Sequence, residues 1–348
     1  MYILGIETSC DETAISVLEF SSKTKYKILS NVVSSQVAIH APFGGVVPSL
    51  AAREHEKNLP VCFAQALKKA KVGIDKIGAI AITVGPGLSP ALWRGVRFAQ
   101  ELSRSTKLPL VPVNHVEAHI YSAILNKKNP EVLFPAMALI VSGGHTQLVL
   151  IDEKKNMKII GETRDDAAGE AFDKIAKILG LGYPGGPIVS RAAKKGKKDA
   201  IAFPRPMIHL KNFDFSFSGL KTSVLYTLQD LHKDKNELSQ KEIADFCASA
   251  QEAIVEVLTV KTIKAMRHYG ARTLLVGGGV SANTALQSSL KKSVKKELPG
   301  MRVFFPKKEF YTDNAAPIAY NAALHLRSVS AETIEANPNM RIAGKFYY

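Results

Sequence analysis

The residues that first suggest chemistry are two histidines, His115 and His119, in the run Asn114-His-Val-Glu-Ala-His119. At about 100° per residue they stand about 400° apart around a helix, so both project from one face. Two imidazoles so spaced suit a divalent ion such as zinc or iron. The plain alternative is two incidental histidines near a helix start. A zinc-protease helix carries Glu directly after its first His. Here Val116 holds that position, and Glu117 falls about 200° round, pointing away from an ion held by the pair. Asp313, in Tyr311-Thr-Asp-Asn-Ala-Ala316, is the candidate third ligand, its alternative role being that of an ordinary helix cap. Two histidines and one carboxylate leave coordination positions open for water or substrate.

Two glycine turns can bring backbone close to a ligand. Ile140-Val-Ser-Gly-Gly-His-Thr146 follows an apolar run, and its amides can face phosphate or carboxylate. Gly277-Gly278-Gly279 precedes a helical pattern, whose N-terminus favours anions. Either turn can equally be a steric need of an α/β chain. A P-loop motif is absent from the sequence, which argues against a P-loop ATPase. Asp165 and Asp166 read as acidic residues at a helix start, and Asp173, two turns in, can reach a ligand. Asp11 and Glu12 sit in a polar turn, as acid/base candidates or as turn formers. No Ser-His-Asp triad is marked, and Cys10 has no candidate base near it in sequence.

The elements that must position these residues repeat one plan. Tyr2–Leu18 and Ala138–Ile151 each read as two apolar runs around a small polar turn, a hairpin. Each is followed by helical patterns and then by a buried strand, a glycine turn and a helix. These are Ala79–Val84, Gly85-Pro86-Gly87 and a helix near Pro90–Ser105, then Thr273–Val276, Gly277-Gly278-Gly279 and a helix near Ser281–Lys296. A short strand comes after each, Pro109–Val113 and Arg302–Phe305. The repeat predicts two α/β lobes with partly parallel sheets and a cleft, with ligands at the carboxyl ends of the strands. Phe203–Thr222 breaks the pattern and reads as an irregular loop leading into a short strand; Lys233–Lys241 reads as an exposed polar loop.

Composition agrees with such a chain. Its 348 residues are too many for one average domain, and 46% hydrophobic content can bury a sizeable core. No apolar run approaches a membrane span, and Met1–Glu7 does not read as a secretory signal. Cys10, Cys62 and Cys247 are scattered and odd in number, which suits a reducing cytoplasm. The net charge of +15 is uneven, +3 over residues 1–174 and +12 over 175–348. Lysine pairs such as Lys194-Lys195, Lys197-Lys198 and Lys291-Lys292 crowd the second half. Such a surface attracts nucleic acid, or is simply a solvated lysine-rich face.

Taken together, eleven short motifs resemble one family. They are Gly5-Ile-Glu-Thr-Ser-Cys-Asp-Glu-Thr13, Phe43-Gly-Gly-Val-Val-Pro48, Gly85-Pro-Gly-Leu88, His115-Val-Glu-Ala-His119, Val141-Ser-Gly-Gly-His-Thr-Gln-Leu148, Asp165-Asp-Ala-Ala-Gly-Glu-Ala-Phe-Asp-Lys174, Gly182-Tyr-Pro-Gly-Gly-Pro187, Phe203-Pro-Arg-Pro206, Phe215-Ser-Phe-Ser-Gly-Leu-Lys-Thr222, Gly277-Gly-Gly-Val-Ser-Ala-Asn283 and Thr312-Asp-Asn314. From about residue 2 to 327 the chain resembles the bacterial TsaD family of tRNA threonylcarbamoyladenosine transferases.

The resemblance implies a duplicated actin-like (ribonuclease H-like) fold, as in sugar kinases and heat-shock ATPases. The expected lobes are 1–113 with about 325–348, and 114–324 carrying the metal and adenylate site. The implied reaction passes a threonylcarbamoyl group from threonylcarbamoyl-AMP to N6 of the adenosine 3′ of the anticodon, in tRNAs reading codons that start with A. The resemblance also implies that His115, His119 and Asp313 hold one divalent ion, iron or zinc. It implies that Ile140, Val141, Ser142, Gly143, Gly144, Asp173, Gly186 and Asn283 bind the adenylate. The implied partners are tRNA, TsaB and the ATPase TsaE, with no membrane and a cytoplasmic location. Asp11 and Glu12 are the acid/base candidates for placing the amine and taking its proton, the alternative being that they only order water near the metal. Ser190 stands where many members carry an acidic residue, and the stretch 328–348 departs from the usual ending. A metallopeptidase and a non-catalytic nucleotide-binding subunit are the alternative readings.

Overall fold

The structure, a computed structural model, describes residues 1–128, 130–232 and 238–347. The chain divides into two compact units, Met1–Glu131 with Pro306–Tyr348, and Val132–Phe305.

In the first unit β1 (Tyr2–Glu7) and β2 (Glu12–Ser22) form the expected hairpin, and β3 (Lys25–Ser35) continues it antiparallel. Short α1 (Val37–His40) and long α2 (Pro48–Ala70) come next, then β4 (Ile77–Gly85), α3 (Ser89–Thr106), β5 (Leu110–Asn114) and α4 (His115–Ser122). The sheet order is β3-β2-β1-β4-β5, with β1, β4 and β5 parallel. Both faces of β1 are covered, so its run Ile3–Glu7 is buried throughout rather than alternating. Leu4 and Ile6 join Ile80, Ile82, Leu59 and Val96 in one core. Gly5 faces the other way, where a Cβ would lie 2.4 Å from the Ala315 carbonyl oxygen, so only glycine lets that segment come so close.

In the second unit β6 (Ala136–Val141), β7 (Thr146–Ile151) and β8 (Met157–Glu162) are antiparallel. Four helices come after them: α5 (Ala168–Ile178), α6 (Gly185–Ala193), α7 (Ser218–His232) and α8 (Gln240–Tyr269). Then come β9 (Thr273–Gly277), α9 (Thr284–Glu297) and β10 (Arg302–Phe304), and the first unit resumes with α10 (Ala315–His325). The order β10-β9-β6-β7-β8 repeats that of the first sheet strand for strand. The two sheets are the duplicated halves expected from the repeat.

Several elements depart from expectation. The third strands, β3 and β8, were not foreseen: they are edge strands with mixed exposure, and their lysines obscure the alternation. The helix expected from Ser281 starts at Thr284, because Gly278 turns at φ 86°, Gly279–Ala282 form a 3-10 turn and Asn283 caps α9. Phe203–Thr222 does not lead into a strand. Phe215 makes one isolated bridge with Thr163, and Phe213, Phe215 and Phe217 are buried in the core instead. Of the polar run Lys233–Lys241, residues 233–237 lie outside the described residues; beyond them Ser239 and Glu242 form a capping box that starts α8. The lobe boundaries differ too: α4 and the 306–324 stretch, expected in the second lobe, belong to the first unit. The reason is packing, since α10 lies against β1 at Gly5 and α4 continues directly from β5.

Candidate metal centre

The histidine pair is held by a cap. Asn114 ends β5, and its Oδ1 accepts hydrogen bonds from the Val116 and Glu117 amides at 2.8 and 3.2 Å, which starts α4 at His115. His115 and His119 then share one buried face, with ring centroids 4.5 Å apart. Both Nε2 atoms face the same oxygen, Asp313 Oδ1, at 3.6 and 3.4 Å. One ligand atom from each of the three residues lies within 4.8 Å of the others. Asp313 is not the cap of α10. Asn314 is, with Oδ1 accepting from the Ala316 amide at 3.3 Å, and this leaves the Asp313 carboxylate to the histidines.

Behind His115 stands Glu7, a residue of the Gly5–Thr13 motif to which sequence alone gives no role. Its Oε2 lies 3.0 Å from His115 Nδ1 and accepts the Thr83 hydroxyl at 2.8 Å; its Oε1 accepts the Ser9 amide. A carboxylate on the far nitrogen fixes the tautomer of a ligating imidazole and leaves Nε2 for the ion. Burial opposes charge on both groups. Even so, Asp313 and Glu7 push His115 up to about 9, and His115 holds the Glu7 carboxyl below its ordinary value. The Nε2 of His119 is buried and makes no hydrogen bond. A buried ring nitrogen without a hydrogen bond, a second imidazole aligned by a carboxylate, and a second carboxylate facing both imidazoles suit a divalent ion.

Asp11 and Glu12 are buried in the β1–β2 turn. That turn is tied down by the Gln36 amide on the Asp11 carbonyl at 3.0 Å and by His55 Nε2 at 3.0 Å from the Cys10 carbonyl oxygen. Burial, with the charges of Asp11 and Asp313, raises the Glu12 carboxyl well above the usual carboxylate range. Burial likewise raises all three thiols, Cys247 to about 11, so none is an activated nucleophile.

In the second unit three segments converge on Ser142. Ile140 and Val141 are buried in β6, and Ser142 begins the turn to β7. The Gly169 amide donates to the Ser142 carbonyl at 3.1 Å, and a Cβ at Gly278 would lie 2.4 Å from the Val141 carbonyl oxygen. A Cβ at Gly143 or Gly144 meets nothing within 4 Å, so packing does not demand glycine there. Asp173 Oδ1 accepts the Gly185 amide at 2.7 Å, next to Gly186 at the start of α6. Asn283 caps α9 through the Ala285 and Leu286 amides and donates to Gln251 Oε1 at 2.8 Å. Asp165 and Asp166 do not cap their own helix. Asp165 caps α7, taking the Phe217 and Ser218 amides at 2.8 and 3.2 Å, and Asp166 pairs with Lys174 at 2.6 Å.

The duplicated sheets define a protein of the actin-like class. The likeness extends to HypF of T. kodakarensis (14% identity, TM-score 0.56, covering 93% of this chain and 47% of that one). It extends equally to full-length HypF in its phosphate- and nucleotide-bound form (14% identity, TM-score 0.59, 94% and 46%). The chain spans about half the length of these HypF chains, and the likeness is one of fold. The TsaD family model, described as tRNA N6-adenosine threonylcarbamoyltransferase, matches residues 27–320. The transferase of that name from Thermosipho africanus (strain TCF52B) is 46% identical over 98% of this chain and 100% of its own length. Those of Geobacillus thermodenitrificans (strain NG80-2) and Bordetella pertussis are 46% and 44% identical, over 92% and 97% of this chain and 90% and 95% of theirs. The chain belongs to the TsaD family of tRNA N6-adenosine threonylcarbamoyltransferases.

Proposed function

We propose that this transferase moves the threonylcarbamoyl group of threonylcarbamoyl-AMP onto N6 of the adenosine 3′ of the anticodon, in tRNAs reading codons that start with A. The observation that carries this reading, in a chain of this family, is the convergence of His115, His119 and Asp313 on one point. One divalent ion, iron or zinc, held there would orient the donor and polarise its carbonyl oxygen. The chain's own residues supply the rest. Glu7 keeps His115 turned with Nε2 toward Asp313. Amides of the Ile140, Val141, Ser142, Gly143 and Gly144 segment, together with Asp173, Gly186 and Asn283, are assigned to the adenylate.

The donor is already a mixed anhydride. The amine nitrogen bonds to the carbonyl carbon, the bond from that carbon to the phosphate oxygen breaks, and AMP leaves with the electron pair. One proton must leave N6. We assign that proton to Glu12 at the start of β2, whose carboxyl is raised by burial, or to Asp11 beside it. No protein nucleophile is required, and the raised thiols offer none.

The metallopeptidase reading loses support at α4, where Val116 and not Glu directly follows the first histidine. Among the described residues no helix is long and apolar enough to cross a membrane. We place the enzyme in the cytoplasm, working with tRNA, TsaB and TsaE. The test is nucleoside analysis of tRNA incubated with threonine, bicarbonate, ATP and the other pathway proteins. Modified adenosine should form with the native chain and be lost with His115→Ala and His119→Ala, together with bound metal. Full metal occupancy in both variants would sink the ligand assignment; tRNA left unmodified by the native, metal-loaded chain would sink the transfer reaction.

A further inference from the structure

α4 has eight residues, too few to be a stable helix by its own hydrogen bonds. Its ligand face carries His115 and His119. A second face, roughly 140° round the helix, carries Asn114, Glu117 and Tyr121 at spacings of three and four. One stretch of chain touches all three. Asn114 Nδ2 donates to the Arg341 carbonyl at 3.1 Å, while the same side chain's Oδ1 caps the helix. The Ala343 backbone lies beside Glu117 and lowers its carboxyl against the burial that raises it to about 7. The Tyr347 amide donates to the Tyr121 hydroxyl at 2.9 Å. Phe346, only 1% exposed, stacks on the Tyr121 ring at 4.8 Å with 9° between the planes.

The same stretch reaches the other side of His115. The Asn337 amide donates to the Val84 carbonyl at 2.7 Å, and the Gly87 amide to the Pro338 carbonyl at 3.2 Å. Gly85 (φ 155°) has room for no side chain, since a Cβ would lie 1.9 Å from the Asn337 carbonyl oxygen. This turn holds Ser9 as well, through the Leu88 amide on the Ser9 carbonyl at 2.8 Å. The Ser9 hydroxyl lies 3.2 Å from His115 Nδ1.

We propose that the segment 337–347 is a clamp that sets the position of the histidine helix, with Phe346 its principal positioning residue. Asp313 precedes a different helix, so the spacing between it and the two Nε2 atoms depends on where α4 lies. The segment fastens α4 at its first turn, its middle and its end, on a face that leaves the ligands clear. A metal site tolerates little displacement of its ligands, and loss of groups that orient them typically costs ten- to a hundredfold in affinity.

The proposal rests on the metal reading above, and Co²⁺ titration of the full chain, followed by its visible absorption, separates the two. Phe346→Ala should weaken Co²⁺ binding by roughly tenfold or more and alter the band shape, while Phe346→Tyr restores both. Ile334→Ala, three residues before the segment and buried in the β-sheet core, should lower the unfolding midpoint without changing affinity. Phe346→Ala with native affinity and native spectrum would overturn the clamp. If that variant does not fold, Tyr121→Phe decides, since it removes only the hydroxyl that accepts the Tyr347 amide. A smaller loss of affinity then supports the proposal, and none overturns it. A native chain that takes up no Co²⁺ would overturn the metal assignment and the clamp with it.

Discussion

Oε2 of Glu7 stands 3.0 Å from Nδ1 of His115, although 108 residues separate them along the chain. If His115 holds an ion, the pair makes that site sensitive to a residue that touches none. Glu7→Gln keeps the size of the side chain and one acceptor oxygen, enough for the Ser9 amide, but removes the charge and the second acceptor. Metal affinity should fall about ten- to a hundredfold, measured by competition with a chromophoric chelator.

Protons should compete with the ion. In the metal-free chain His115 is raised from 6.5 to about 9. Its contribution to stability is therefore fully present below 6.5 and is lost as the pH rises through about 9. An ion must displace that proton, so its affinity should climb over the same interval. Unfolding midpoints of the metal-free chain and metal titrations between pH 6 and about 9.5 check both trends. His115→Gln should flatten the stability trend.

Neighbouring Asp313 and Asn314 should separate cleanly. Asp313→Asn should abolish metal retention while α10 keeps its cap, Asn314, so that the stability lost is only the pH-dependent part that Asp313 gives through His115. Asn314→Ala should cost about 1 kcal/mol of stability through the lost cap of α10. Metal analysis and denaturant unfolding on both variants distinguish the roles, and equal metal content in Asp313→Asn and the native chain would refute the ligand.

The turn at Ser142 allows a test in which the fold is spared. A side chain at Gly143 meets no protein atom within 4 Å, so Gly143→Val should fold normally and lose affinity for a non-hydrolysable adenylate analogue. Asn283→Ala is less clean, because it should also cost about 1 kcal/mol as a lost cap; Asn283→Asp keeps the cap. Calorimetric titration of the analogue into Gly143→Val decides, and native affinity there would count against this turn.

Lys194, Lys195, Lys197 and Lys198 come just after α6 and are all exposed, with Lys198 paired to Glu252 at 2.9 Å. If they meet tRNA phosphates, changing all four to Gln should weaken tRNA binding and lower the slope of log affinity against log salt by about 0.9 per lost contact. Metal content should be unchanged. A native slope would leave these lysines a solvated face.

Much of the site was legible because its signals are local. A spacing of four marks His115 and His119, and the strand, glycine turn and helix repeat marks both sheets. The features that escaped depend on distant partners. Glu7 ends an apolar strand, and only the folded chain brings it to His115. Asp165 looks like the cap of the helix just after it, yet it caps α7, whose first residue Ser218 lies 53 positions on. The alternation at Phe213, Phe215 and Phe217 has the period of a strand, but a single bridge forms and the rings are used for the core. β3 and β8 lie at sheet edges, where only part of each strand needs to be apolar.

The first unit is discontinuous, with Val132–Phe305 inserted between the histidine helix and Asp313. As the chain leaves the ribosome, His115 and His119 emerge long before their carboxylate. Domains generally fold as units in order of synthesis, so the inserted unit can fold while the first still lacks α10. His115, His119 and Asp313 can therefore meet only after the inserted unit has been synthesised. An ion held by those three would report that the first unit has joined its two ends, and a nascent chain stalled before Pro306 has the two imidazoles without the carboxylate.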